Sequence, residues 1–240
     1  MHSRFHYAFA MARQGDSKTL ASHVYDLISH DIMYGRWLPG SSLRPAELSK
    51  IYGTSTTVIR EVLVRLAAER LAVTTPAKGF SVPALTTTDL EDLTMVRIHN
   101  DTLALRLAIE RGTLDWESDL MAKHHTLART ERRSDDDPLH IRDEWSAAHR
   151  EFHAALVAGS GVSLLLDLSR TLFDSTELYR RWAAPTPAAL KRDVPHEHVL
   201  ILEATLDRDA DRATELLTEH YNQSLRVMLA AGFVDLPTDD

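Results

Sequence analysis

The stretch Ser55–Leu71, STTVIREVLVRLAAERL, decides how the N-terminal third is read. Ser55 is a residue type that caps helices, because its hydroxyl accepts from a backbone N–H of the first turn. Val58, Val62, Leu63, Leu66 and Leu71 then recur at helical spacing. Just upstream, PAELSKIYG (45–53) predicts a shorter helix, with Pro45 in its first turn and Gly53 past its end. Two short helices joined by a glycine-containing turn form a helix-turn-helix. Further upstream, TLASHVYDLISHDIMY (19–34) places Leu20, Val24, Leu27, Ile28 and Ile32 on one helical face. Downstream, LAVTT, PAKG and FSV alternate, turn and alternate again, which predicts a hairpin with Lys78 and Gly79 at its tip. Three helices and a wing make a winged helix-turn-helix. Its second paired helix would enter a major groove and present Thr56, Thr57 and Arg60, with Ser55 at its start.

Charge supports the same reading. The chain carries a formal charge of −8, but residues 1–84 contribute +4 and the remainder −12. Such asymmetry suggests a part that approaches a polyanion and a part that stays clear of it. With 240 residues and 44% hydrophobic side chains, the chain can build one large domain or two modest ones. No apolar run is long enough for a membrane span. The first 17 residues lack the apolar core of a secretion signal and read as a flexible leader. A cytoplasmic location follows as the default. The cysteine count is zero, which excludes disulfides, thiol catalysis and thiolate metal sites.

Beyond Pro83 the pattern changes. Helical periodicity predicts about six helices, near 88–112, 115–132, 138–159, 161–183, 187–207 and 209–231. Thr88 is the expected cap of the first. The fold class is therefore mainly α: a winged helix-turn-helix (18–84), then an all-α helical bundle (85–234) and a short tail (235–240). On the third of these helices, Trp145, Phe152 and Leu156 define an apolar stripe that contains His149 and His153. His198 shares a face with Ile201, Leu202 and Thr205, and His220 with Leu217, Ser224 and Met228. Four inward imidazoles on three helices are costly to bury unless each finds a partner. One divalent cation would satisfy all four. An Arg97–Asp101 pair at i,i+4 reads either as a surface ion pair or as a cation facing a cavity. The remaining histidines show no such convergence.

The residues also carry a family resemblance. From Tyr34 to Val82, the strings GRWLPGSSL, ELSKIYGTS, VIREVLVRLAAERLAV and KGFSV resemble the DNA-binding domain of the GntR family of bacterial regulators. That family usually has an arginine directly after the turn serine and another on the preceding helix. Here Thr56 and Ala46 stand there, and Arg44 offers a substitute cation. The bases read should differ accordingly. Residues from about 88 to 231 resemble the FCD effector domain of the FadR subfamily. Its string of an acid or amide, three residues and a histidine reads here as His149-x-x-x-His153, followed by Glu197-His198 and by His220. The departure is His149, where a carboxylate or amide is usual.

The resemblance implies a homodimeric, ligand-responsive transcription regulator on a pseudo-palindromic double-stranded operator. Arg44, Ser55, Thr56, Thr57, Arg60, Lys78 and Gly79 would contact DNA. His149, His153, His198 and His220 would hold a divalent transition metal. Neutral nitrogen donors suit zinc, with nickel or copper as alternatives. Arg97 would grip a small carboxylate effector. Two other readings stay open at this stage. One is a metal-dependent hydrolase or oxygenase built on the histidines. The other is a DNA-binding protein whose helical domain only dimerises, with histidines as core filler.

Overall fold

A computed structural model describes residues 20–84 and 86–232. The leader and the tail lie outside the described residues. The N-terminal unit comprises α1 (Leu20–Met33), α2 (Pro45–Tyr52), α3 (Thr56–Ala68), β1 (Val73–Thr75) and β2 (Gly79–Ser81). Local chemistry fixes its turns. Pro45 opens α2, and Gly53 closes it in the left-handed region at φ 64°. Ser55 then caps α3 by accepting from the Val58 N–H at 3.3 Å. The two strands pair antiparallel, Val73 opposite Ser81 and Thr75 opposite Gly79. Ser42 bridges onto Ser81, which ties the approach to α2 to the base of the wing. Val24, Ile28, Ile32, Leu48, Ile59 and Leu63 fill the core beneath.

The C-terminal unit contains α4 (Thr87–Arg111), α5 (Leu114–Arg129), α6 (Asp143–Ala158), α7 (Ser163–Ala183), α8 (Pro187–Lys191), α9 (Val194–Leu206) and α10 (Ala210–Ala230). The long α4 packs chiefly on α10, with α7 and α6 beside it, and α5 lies against α6. Three details depart from the sequence expectations. The cap of α4 is Thr86, not Thr88, because Asp89 three residues on completes a reciprocal capping box with Thr86. The third helix of the bundle starts at Asp143, and the acidic run before it belongs to a loop. The expected helix 187–207 is two helices. Arg192 is extended, Asp193 caps the new start by accepting from the His196 N–H, and Pro195 has no N–H with which to continue the previous ladder.

Trp116 is wedged between the ends of two helices. Its indole N–H donates to the Ala155 carbonyl at 2.8 Å, and Gly112 and Gly159 both abut its ring. A methyl group on Gly112 would overlap that ring and lie 2.5 Å from the Ala108 carbonyl. Gly112→Ala is therefore expected to destabilise the bundle by about 1–3 kcal/mol, read as a lower urea midpoint with an unchanged m-value.

The two units share one apolar cluster. Leu178, Tyr179, Trp182 and Met228 pack with the core of the winged domain. The Trp182 indole donates to the Ile32 carbonyl at 2.8 Å, and Arg70 donates to Ser175 Oγ at 3.1 Å.

Candidate functional sites

The residues expected to contact DNA are all exposed. Thr56, Thr57 and Arg60 are exposed on the first turns of α3, and Lys78 and Gly79 are exposed at the wing. Arg44 is exposed at the start of α2, 3.2 Å from Glu47. Glu61 and Glu69 are the acids in the sequence that could consume Arg60. In the structure Glu69 is taken by Arg65, at 3.1 Å, and by the Tyr25 hydroxyl. Among the described residues no carboxylate closes on Arg60. Ser55 is engaged as the helix cap, which fixes the first turn that carries the two threonines.

The second site lies inside the bundle. His149 and His153 on α6, His198 on α9 and His220 on α10 are all buried, and one ligand nitrogen from each lies within 4.8 Å of the others. The facing Nε2 atoms of His149 and His153 are 3.0 Å apart. Neighbouring groups orient the rings. His220 Nδ1 meets Glu197 Oε2 at 2.8 Å, which places the proton on Nδ1 and leaves Nε2 with its lone pair. His153 Nδ1 lies 3.4 Å from the Tyr221 hydroxyl, which itself donates to Asp101 Oδ2 at 2.7 Å. Trp145 stacks on His149 at 4.6 Å.

Burial drives all four imidazoles well below their ordinary range, and their mutual proximity adds to it. His220 falls to about 4 in spite of Glu197. At neutral pH the cluster is therefore uncharged, with lone pairs free for a Lewis acid. His149 Nδ1 and His198 Nε2 are buried without any hydrogen-bond partner. An unsatisfied buried nitrogen is expensive, and the four side chains could together hold a cation. Nitrogen donors alone suit zinc, nickel or copper.

Beside the cluster is a cavity of about 40 Å3, lined on one side by His149 and His220 and on others by Arg132, Arg180 and Arg192. Arg97 is not among its lining residues. That side chain is buried: its guanidinium lies 3.5 Å from Asp101, donates to Thr176 Oγ1 at 3.0 Å and sits 4.1 Å over the Tyr221 ring. The Arg97–Asp101 pair is thus neither a wet surface pair nor, in this conformation, a wall of the cavity. Its position beneath Tyr221 makes it a support for His153.

The cavity arginines were not identified from sequence. Arg180 sits in an Arg-Arg-Trp run whose helical period shows only that some face is buried. Arg132 and Arg192 fall within the expected helices 115–132 and 187–207 but lie in the breaks after α5 and α8, so the helical period could not give their direction. Arg192 grips Glu197 through two nitrogens, at 2.7 and 2.6 Å. Glu177 accepts from Ser146 at 2.6 Å, Arg181 at 2.7 Å and Arg180 at 2.5 Å. Burial pushes the Glu177 carboxyl up, but Arg180, Arg181 and Ser146 outweigh it and hold it at about 2.

Because that folded value lies below the ordinary 4.5, the unfolded chain takes up the proton first on acidification. The stabilisation is complete above about 4.5 and is lost as pH falls toward 2, a change of up to about 3 kcal/mol. Glu177→Gln should flatten the melting temperature across that window while wild type falls steeply.

A winged helix-turn-helix joined through a shared core to a helical domain with an internal cavity is the architecture of a two-domain regulator of transcription. Residues 20–82 match the model of the bacterial regulatory proteins of the gntR family, and residues 92–223 match the FCD domain. The chain is 32% identical over 219 residues to the uncharacterized HTH-type transcriptional regulator BphR of Paraburkholderia xenovorans, covering 90% of this chain and 88% of the relative. It is 34% identical over 199 residues to the HTH-type transcriptional repressor GlaR of Escherichia coli, covering 82% and 90%. Its fold is similar to that of E. coli McbR/YncC, with a TM-score of 0.62 and 21% identity over 89% of this chain and 99% of the other. The chain belongs to the GntR family and carries an FCD effector domain. It is a DNA-binding transcriptional regulator, and its relatives are regulators rather than enzymes.

Proposed function

We propose that this chain is a homodimeric repressor whose grip on a pseudo-palindromic operator is set by a small carboxylate. The carboxylate would be received at a divalent transition metal, zinc in the first instance, held by His149, His153, His198 and His220. The observation that carries this reading is the convergence of four buried, uncharged imidazoles, two with orphaned nitrogens, beside an arginine-lined cavity that His149 and His220 help to wall. The ion would supply positive charge and a coordination position for an anionic oxygen. Glu197, Tyr221 and Asp101 fix the rings, and Arg97 supports Tyr221 from beneath.

Helix α7 supplies the link to DNA. Glu177, Arg180 and Ala183 line the cavity, whereas Leu178, Tyr179 and Trp182 enter the core of the winged domain. One rigid helix therefore touches both the ligand and α1, on which α3 packs. A shift of Arg180 toward a bound anion is carried to Ile32. By linkage, carboxylate and operator alter each other's affinity by the same factor.

The test is operator binding by zinc-loaded and by chelated protein, on DNA flanking the gene itself, with and without a panel of small carboxylates. A change of at least about fivefold on adding one of them is expected. Identical affinity under every condition would leave the helical domain as a dimerisation module.

A further inference from the structure

The charges around the cavity do not balance, and the imbalance has a location. Arg192 is matched by Glu197, and Arg180 by Glu177. Arg181, which shares Glu177, also has Asp143 at 2.7 Å. Arg97 is matched by Asp101. Arg132 is different. Its Nε is buried with no partner, and among the described residues its guanidinium forms no ion pair; it rests over the Trp145 ring at 5.1 Å. Burial first, and then the nearby Arg133 and Arg192, pull it down to about 10 against an upward pull from Glu197, so it remains charged at neutral pH. A largely desolvated cation is costly when the nearby carboxylate, Glu197, is already held by another arginine, Arg192. The same Trp145 ring stacks on His149 at 4.6 Å, and Arg132, His149 and His220 line one cavity. Four neutral imidazoles likewise leave the charge of a bound divalent ion uncompensated.

We propose that the effector is a short dicarboxylate: one carboxylate is received at the histidine-held metal, and the other by Arg132, which sets specificity for the second anionic group. The inference rests on the carboxylate reading of the preceding section and adds the second charge and its receptor. A monocarboxylate would satisfy the metal and leave Arg132 orphaned. A planar guanidinium with free N–H groups is built for bidentate capture of a carboxylate.

The test is isothermal titration of the zinc-loaded full chain with linear dicarboxylates of three to six carbons, each against the monocarboxylate of equal length. At least one dicarboxylate is expected to bind about tenfold or more tightly than its monocarboxylate partner. Arg132→Gln should collapse that preference to within about twofold while keeping zinc content and monocarboxylate affinity. Arg132→Lys, which restores a cation, should recover part of it. Retention of zinc by both variants reports that the site is folded. Equal affinity for the two ligand classes in wild type, or a preference that survives in Arg132→Gln, overturns the inference and leaves the carboxylate reading standing. Failure of every carboxylate to bind zinc-loaded wild type overturns both.

Discussion

The double variant His153→Ala, His198→Ala is expected to retain less than about a tenth of the zinc that wild type holds after dialysis against metal-free buffer. Wild type should retain about one ion per chain. The two histidines come from different helices, α6 and α9, so their loss leaves only His149 and His220, half of the protein donors and too few to hold the ion. Stability supplies a second readout. A ligand that binds only the folded chain adds about 4 kcal/mol when present at a thousand times its Kd. Chelation should therefore lower the melting temperature of wild type and leave that of the variant unmoved. Equal metal content in the two proteins would show that the imidazoles are not the ligands.

Arg60→Ala is expected to weaken operator binding by about 30-fold to 25,000-fold without unfolding the protein. One bidentate base contact is worth about 1–3 kcal/mol, and a dimer on a palindrome loses it twice. The fold should be indifferent, since Arg60 is exposed and no described carboxylate depends on it. Arg65, five residues on, gives the contrast: it stacks over Tyr25 at 3.7 Å and pairs with Glu69, so its loss should be felt in stability and not in base recognition. Binding measured on several operator variants separates two roles for Arg60. A base contact loses discrimination at one position, whereas a phosphate contact weakens all sequences alike and reduces the salt slope by about one. Normal operator affinity in Arg60→Ala would place the recognition face elsewhere.

Much of this was legible in the sequence wherever a regular period carried it. The turn from Gly53 to Ser55 and the stripe of α3 follow from cap chemistry and spacing alone. The inward direction of His149 and His153 follows from their place among Trp145, Phe152 and Leu156. Pro195 also announced the break between α8 and α9. The cap of α4 was not decided there, since Thr86 and Thr88 each have an acid three residues on, Asp89 and Glu91. What was hidden was anything set by one element lying across another. Arg132 reaches the cavity from a loop that obeys no period. Trp182 is visibly apolar, but nothing local reveals that its neighbour is a backbone carbonyl of α1. The role given to Arg97 illustrates the same limit: its helix face was right, and the side chains it meets there could only be seen in three dimensions.

The bond from the Trp182 indole to the Ile32 carbonyl sets terms for anyone who would transplant these parts. A winged module from another protein, grafted onto this bundle at the junction near residue 85, needs more than a matching joint. Its first helix must end with a main-chain oxygen that can accept a second donor at the place of Ile32, where the Gly35 N–H already donates, and a hollow that admits an indole. Chimeras meeting that requirement should inherit sensing along with a new operator; those without it should bind DNA deaf to the small molecule.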